Sequence, residues 1–240
     1  MGGGSVDLSG KLVLVTGATR GIGRAVAIAA AAAGAELIIT GRTVGALEEA
    51  DDAIRAAGGR STMVELDMKD TPAIPRLAAA IAGRWERLDG FVANAAMLPA
   101  LTPVTHLTPE AWNESVAVNL TGQWHMIRAL DPLLRASPAG RAVLVTSGVA
   151  VGSRPFWGPY AATKAALEAV GRSWAGESEQ TNLRINMLNP GGTATKMRAS
   201  AFPGENPETL PSPEDIAPAF LALLATDCTH HGELVDARAM

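Results

Sequence analysis

Residues 12–23 read LVLVTGATRGIG, an apolar, partly β-branched run that leads directly into a glycine-rich turn. Residues 12–15 carry no polar side chain, which is typical of a strand buried on both faces of a parallel sheet. The pattern after the turn predicts a helix. A strand, a tight glycine turn and a helix are the opening unit of a doubly wound α/β fold.

The same alternation of apolar runs and helical segments continues along the chain. Apolar runs lie at 12–15, 37–40, 63–66, 91–92, 142–146 and 185–188. Helices are predicted at 23–33, 44–57, 72–85, 109–134, 160–180 and 213–224, and a last strand within 232–238. This order predicts a Rossmann-type, doubly wound parallel sheet of about seven strands, with helices on both faces. We expect residues 1–9 to be a flexible leader and residues 10–240 to form one catalytic domain.

The composition argues against several classes of protein. The formal net charge is −4 and no run of Lys and Arg occurs, so neither nucleic acid nor a membrane is expected as a partner. Cys228 is the only cysteine, and no metal site is predicted. No signal peptide or membrane-spanning segment is recognised, so a soluble cytoplasmic protein is expected.

The glycine turn is suited to binding a nucleotide diphosphate. Its glycines let the backbone approach a phosphate closely, and the N–H groups at the start of the following helix attract anions. An ordinary strand-to-helix loop is the alternative reading. The predicted cofactor contacts in this turn are Gly17, Thr19, Arg20, Gly21, Ile22 and Gly23.

The end of the second strand indicates which nicotinamide cofactor is expected. NAD-binding proteins usually carry an acidic residue about 20 residues after the glycine turn. Here Gly41 occupies that position, Arg42 follows it, and Arg20 lies inside the turn. Two guanidinium groups would hold a 2′-phosphate that an acidic side chain would repel. We therefore predict NADP(H) rather than NAD(H), the alternative being that both arginines are solvated surface residues.

Ser147, Tyr160 and Lys164 are the candidate catalytic group. Tyr160 is the only tyrosine, and Lys164 follows it by one helical turn on the same face. A nearby ammonium favours the phenolate, and lowering a tyrosine pKa from about 10 to about 7 takes about 4 kcal/mol. We predict that Tyr160 is the general acid/base of a hydride transfer between nicotinamide and a carbonyl/alcohol pair, with Ser147 holding the substrate oxygen. Taken alone, the tyrosine–lysine spacing also fits an ordinary surface helix.

Together these motifs resemble the short-chain dehydrogenase/reductase family in its compact single-domain form. Residues 16–23 match the family's T-G-x-x-x-G-x-G, residues 93–96 keep one Asn of its N-N-A-G, and residues 190–195 match its P-G-x-x-x-T. The resemblance implies that Asn119 holds a water linking Lys164 to solvent, and that Lys164 binds the nicotinamide ribose. It also implies cofactor contacts from Asp67, Met68, Asn94, Tyr160, Lys164, Pro190, Gly191, Thr193 and Thr195.

The expected pocket is largely apolar. Predicted substrate contacts are Ser147, Val149, Trp157, Tyr160 and Met197. A hydrophobic or aromatic carbonyl compound is therefore expected rather than a sugar or a small hydroxy acid. The irregular stretch 193–211 is predicted to be a lid, with a plain surface excursion as the alternative.

Two other functions stay open, and the family also suggests an assembly. One is a 3-oxoacyl-thioester reductase specifically, and the other is a non-catalytic NADP(H)-sensing protein on the same fold. A sensor would be marked by loss of Tyr160 or Lys164, and both are present. The resemblance implies a homodimer or homotetramer formed through helices 109–134 and 160–180.

Overall fold

The computed structural model describes residues 6–152 and 154–240 of the chain. Its strands are β1 (Leu12–Thr16), β2 (Glu36–Gly41), β3 (Arg60–Glu65), β4 (Gly90–Ala93), β5 (Arg141–Val145), β6 (Arg184–Asn189) and β7 (Leu234–Asp236). Its helices are α1 (Gly21–Ala32), α2 (Val44–Ala56), α3 (Ala73–Trp85), α4 (Pro109–Val116), α5 (Gly122–Ala136), α6 (Gly158–Gly176), α7 (Lys196–Ala201) and α8 (Pro213–Leu224).

In the described part of the chain, seven parallel strands form one sheet in the order β3-β2-β1-β4-β5-β6-β7. The predicted Rossmann-type sheet, including the last strand, is confirmed. The order reverses between β1 and β4, because the chain crosses from β3 at one edge back to the middle. Their carboxyl ends therefore flank the crevice in which such sheets bind ligands.

Alternate residues of the central strands enter two apolar layers, one on each face of the sheet. Val13 and Val15 of β1 pack with α1, α2 and α8. Leu12 and Leu14 pack with α3, α5 and α6. β3 is an edge strand, and Met63 is 41 % exposed, so the prediction that this run is buried on both faces is wrong.

The start of the chain differs from the predicted leader. Residues 1–5 lie outside the described part, but Leu8 is fully buried and its N–H donates to the carbonyl of Ala33 at 2.8 Å. Residues 6–9 therefore pack with the domain, because the Leu8 side chain is buried in the apolar layer that contains α1. A leader extending to residue 9 is a wrong prediction for these four residues.

The predicted helix 109–134 is interrupted. α4 ends at Val116, a π-helical turn covers Ala117–Thr121, and α5 then runs to Ala136. The stretch 193–211 contains α7 and a short 3₁₀ turn at Pro207–Thr209. No helix within residues 6–152 and 154–240 is both long and apolar enough to cross a bilayer. The same residues hold no group of three or more His, Cys, Asp or Glu side chains placed to bind a metal ion.

Candidate active site

The glycine turn, residues 16–23, joins β1 to α1 at the carboxyl edge of the sheet. Gly17 and Gly21 have φ angles of 64° and 54°, in the left-handed region that favours glycine. A Cβ atom on Gly23 would meet the carbonyl oxygen of Gly17 and the side-chain amide of Asn94. Among the described residues, the N-cap residue Arg20 makes no side-chain capping bond. The first N–H groups of α1 can therefore bind an anion.

Thr16 and Asn94 fix the shape of this turn. The Thr16 hydroxyl accepts from the N–H groups of Asn94 and Ala95, both at 3.0 Å, and donates to the carbonyl of Val92 at 3.3 Å. The Asn94 amide donates in return to the carbonyls of Thr16 and Gly17, at 2.9 and 3.1 Å. Asn94 thus holds protein backbone, and its predicted contact with the cofactor stays a prediction. Thr16 is not among the predicted site residues, although it begins the glycine motif.

Gly41 brings the end of β2 against the glycine turn. A Cβ atom there would overlap the methyl group of Thr19, so an acidic side chain does not fit at this position without a shift. Arg42 comes next, and both Arg42 and Arg20 are exposed. Their guanidinium groups are therefore accessible to a phosphate group bound near the end of β2.

Lys69 is a third cation near the end of β2, and it is not among the site residues predicted from the sequence. The Glu114 carboxylate, 2.9 Å from Lys69 Nζ, holds the pKa of the lysine above its usual value, while the charge of Arg42 acts in the opposite direction. The Lys69 N–H donates to Asp67 Oδ1 at 2.9 Å. The sequence could have indicated Lys69, because it follows the predicted cofactor contact Asp67 by two residues.

Asn119 lies in the π turn and is fully buried. Its Oδ1 accepts from the N–H of Met97 at 2.8 Å, and its Nδ2 donates to the carbonyl of Met97 at 2.9 Å and to Thr163 Oγ1 at 3.3 Å. The side-chain amide is therefore engaged by protein groups, so a relay water at this position would bind the backbone of the turn. A π turn shifts the register of a helix and often occurs at functional sites.

Tyr160 and Lys164 are both buried, on the face of α6 that packs against β5. Lys164 is 1 % exposed, its Nζ donates to the carbonyl of Val145 at 2.7 Å, and Nζ lies 5.7 Å from the centre of the Tyr160 ring. Burial raises the pKa of Tyr160 to about 12 and lowers the pKa of Lys164 to about 8. Burial therefore disfavours both the phenolate of Tyr160 and the ammonium of Lys164. The expectation that Lys164 lowers the Tyr160 pKa during the reaction stays a prediction.

Ser147 lies two residues beyond the end of β5. Its Oγ accepts from the N–H of Val149 at 3.5 Å, and Val149 is buried. Asn189 Oδ1 accepts from the N–H groups of Gly148 and Gly191, at 3.0 and 3.1 Å. This carboxamide joins the Ser147 loop to the loop after β6, so the two loops keep a fixed separation.

The loop after β6 reaches back to the glycine turn. Thr193 is buried and donates to the carbonyl of Pro190 at 3.3 Å. Thr195 caps α7 by accepting from the N–H of Arg198 at 3.1 Å, and its methyl carbon would lie 3.4 Å from a Cβ atom on Gly21. Thr195 thus lies beside the glycine turn, and its predicted contact with the cofactor stays a prediction.

Arg238, near the end of the chain, covers the same loop. Its guanidinium donates to the carbonyl of Gly192. Gly191 has a φ of 70°, and a Cβ atom there would lie 2.7 Å from Arg238 Nε. Arg238 was not predicted, because nothing in the local sequence relates it to a loop 46 residues earlier.

An aromatic wall borders Tyr160. The Trp157 ring lies 5.9 Å from the Tyr160 ring and 5.8 Å from the Phe202 ring, measured between centres. The Arg198 guanidinium lies 3.8 Å from the centre of the Phe202 ring and pairs with Glu205 through two contacts of 2.6 Å. The stretch 193–211 therefore supplies part of the wall near the candidate catalytic group, and its role as a lid stays a prediction.

Comparisons with known proteins agree with this arrangement. The family model for the short chain dehydrogenase matches residues 11–206. The oxidoreductase YciK of Escherichia coli (strain K12) is 39 % identical over 223 residues, which cover 92 % of this chain and 88 % of that protein. A short chain dehydrogenase from Escherichia coli CFT073, solved in complex with NADPH, is 37 % identical with a TM-score of 0.94, covering 98 % of this chain and 99 % of that one.

A second solved relative was also crystallised with the phosphorylated cofactor. It is a short chain dehydrogenase from Shigella flexneri 2a, complexed with NADP, which is 36 % identical with a TM-score of 0.94 and covers 98 % of this chain and all of that one. With the family model matching well over half of its residues, this chain belongs to the short-chain dehydrogenase family of oxidoreductases.

Proposed function

We propose that this chain is an NADP(H)-dependent oxidoreductase that interconverts a carbonyl group and a secondary alcohol, with Tyr160 as the acid/base. The observation that carries the proposal is the buried Tyr160–Lys164 pair at the carboxyl end of β5. Only the end of β4 separates it, along the sheet, from the glycine turn after β1, which can bind a diphosphate. When bound, the nicotinamide supplies or accepts the hydride. Residues of the chain would bind the cofactor, orient the substrate and transfer the proton.

The residues of the crevice fit a dinucleotide. Glycines at 17 and 23 let the turn pack closely against Asn94 and Ala95, and α1 presents its N-terminus at this turn, where a phosphate would bind. Pro190, Gly191 and Thr193 would hold the nicotinamide end, and Thr195, beside Gly21, would contact the diphosphate. Asp67, Met68 and the nearby cations would hold the adenosine end, and Lys164 would bind the ribose hydroxyls.

Proton transfer in this proposal runs through Tyr160. In the direction of reduction, its hydroxyl donates a proton to the carbonyl oxygen, which Ser147 holds by a hydrogen bond. Lys164 is protonated at neutral pH because its pKa is about 8, and its charge favours the phenolate that remains. The backbone of the π turn at Asn119 is the expected site of the water that returns a proton from solvent.

The test compares wild type with Tyr160→Phe, which removes the hydroxyl and keeps the ring. Loss of NADPH absorbance is followed with a panel of ketones and aldehydes, and NADPH affinity is measured separately by fluorescence. We expect a fall in kcat of at least roughly a hundredfold with NADPH affinity retained. Equal turnover by the two proteins would overturn the assignment of Tyr160. Binding of NADPH without turnover of any carbonyl compound would favour the sensor.

Cofactor preference rests on Arg20 and Arg42. Each charge-assisted hydrogen bond to a 2′-phosphate contributes about 1.5–3 kcal/mol, so losing one raises the KM for NADPH roughly 10- to 100-fold. We expect Arg42→Asp to show this rise with little change in the KM for NADH. Arg24→Asp is the control, because Arg24 is exposed on α1 outside the predicted contacts. A wild type that does not prefer NADPH would refute the arginine argument.

The aromatic wall supports an apolar or aromatic substrate. The Trp157 ring lies beside Tyr160 and the Phe202 ring lies beside Trp157. The predicted substrate contacts Val149 and Met197 would add aliphatic surface. Aryl ketones should therefore be reduced more efficiently than sugars, and Trp157→Ala should lower kcat/KM for the aryl ketones selectively. A panel in which only polar polyols react would reject this substrate class.

We also propose that the chain forms a homodimer or homotetramer. Trp112 on α4 and Trp124 on α5 are 42 % and 44 % exposed, and both lie within the segment 109–134 that the family resemblance places between subunits. Burial of both rings between copies would explain their exposure. Light scattering that gives the mass of one chain at micromolar concentration would refute the proposal.

A further inference from the structure

Glu168 is a buried carboxylate for which the proposed chemistry has no use. It lies on α6 one turn after Lys164, and it is 1 % exposed. Removing a carboxylate from water is costly unless hydrogen bonds replace its hydration, so an apolar residue would normally be preferred at such a position. Its contacts therefore indicate why a charge is present there.

The main contact of Glu168 is with Thr146. The Thr146 hydroxyl donates to Glu168 Oε1 at 2.6 Å, a short hydrogen bond to a charged acceptor. Thr146 directly precedes Ser147, and its N–H donates to the carbonyl of Leu188 at 2.9 Å. The other carboxylate oxygen lies 3.4 Å from Arg172 Nη1, and the Arg172 side chain is half exposed. The stronger and drier contact is thus the one beside Ser147.

Lys164 makes a similar hydrogen bond to Val145, which precedes Thr146 and is the last residue of β5. Its Nζ donates to the carbonyl of Val145 at 2.7 Å. Lys164 and Glu168 are four residues apart, so they share one face of α6 with Tyr160. Val145, which ends β5, and Thr146, which follows it, are therefore both hydrogen-bonded to the helix that carries the proposed acid/base.

We infer that Glu168 is a positioning residue that fixes Ser147 relative to Tyr160 through the Thr146 hydroxyl. The inference rests on the proposed function. A displacement of about 1 Å in a reacting group can lower a rate roughly a hundredfold, so a bond that fixes the Ser147 backbone affects kcat more than cofactor binding.

The experiment uses isosteric changes on both sides of the bond. Thr146→Val removes the donor and Glu168→Met removes the acceptor. Each should lower kcat roughly 10- to 100-fold and leave the KM for NADPH within about twofold. The double variant should be no slower than the slower single variant, because both changes break one bond. With deuterated NADPH, the isotope effect on kcat should rise as hydride transfer becomes slower.

Conservative variants separate positioning from folding. Glu168→Gln keeps an acceptor and Thr146→Ser keeps a donor, so both should retain kcat within about threefold. Arg172→Met removes the other partner of Glu168 and should leave kcat unchanged. The inference would be overturned if Arg172→Met lowered kcat as much as Glu168→Met does. It would also be overturned if the kcat losses of Thr146→Val and Glu168→Met multiplied in the double variant.

Outcomes for the inference and for the proposed function are distinguishable. If Tyr160→Phe is inactive while Thr146→Val and Glu168→Met match wild type, the inference fails and the proposed function stands. If wild type reduces no carbonyl compound, the proposed function fails and the inference fails with it. If the Met and Val variants do not fold, a slow Glu168→Gln or Thr146→Ser variant of normal stability would overturn the inference, and normal rates in both would support it.

Discussion

Replacing Lys164 with methionine should stabilise the nucleotide-free protein at neutral pH, although it should abolish turnover. Burial lowers the Lys164 pKa from 10.5 to about 8. Folding therefore disfavours the charged lysine, and below pH 8 this costs about 3 kcal/mol, because each pKa unit corresponds to about 1.4 kcal/mol. Methionine avoids this cost but loses the hydrogen bond to the Val145 carbonyl, which contributes about 1 kcal/mol. The net gain at pH 7 should be about 2 kcal/mol.

The pH dependence gives the sign of this effect. A depressed pKa means that the unfolded chain binds more protons between about pH 8 and 10.5, so wild type gains stability as the pH rises through that range. At pH 10 the remaining cost of the charge falls to about 1 kcal/mol, which the lost hydrogen bond offsets. The advantage of Lys164→Met should therefore disappear near pH 10.

Urea unfolding at several pH values measures this difference directly. Lys196→Met is the control, because that lysine is exposed, and it should change the free energy of unfolding by less than about 0.5 kcal/mol at every pH. A Lys164→Met protein that is less stable than wild type at pH 7, or whose advantage does not depend on pH, would refute the reasoning. In that case the hydrogen bond would outweigh the buried charge.

Three further changes test other contacts. Gly23→Ala places a methyl group against the Asn94 amide, so NADPH affinity should fall by at least roughly tenfold in a fluorescence titration. Arg238→Ala removes the contact with Gly192, and the KM for NADPH should rise roughly three- to tenfold while Tm stays within about 1 °C of wild type. Thr16→Val leaves two backbone N–H groups without their acceptor and should lower the free energy of unfolding by about 2 kcal/mol in urea.

The sheet and most helices could be predicted because their periodicity is local. The apolar run 12–15 and the glycines after it define a strand, a turn and a helix without reference to distant residues. The π turn could not be predicted, because one extra residue in a helical turn barely alters the spacing of apolar side chains between 109 and 134. The helix therefore reads as continuous although its register shifts at Asn119.

The site residues that belong to a sequence motif could be predicted. The contacts between residues that are distant along the chain could not. Ser147, Tyr160 and Lys164 follow a recognisable spacing, but the partners of Glu168 and Arg238 are 22 and 46 residues away along the chain. Sequence also supplies the charge near Tyr160 but not the degree of burial, and burial raises the pKa of this tyrosine.

The contact between Arg238 and Gly192 has a practical consequence for anyone who purifies or immobilises this protein. An affinity tag or a fusion partner attached after Met240 would begin two residues from a side chain that covers Gly191 and Gly192, in the loop proposed to hold the nicotinamide. Kinetic constants measured on such a fusion would then include the effect of the tag. A tag placed before Val6 is far preferable, since that end of the chain packs beside the end of α1 and on the opposite edge of the sheet from the glycine turn.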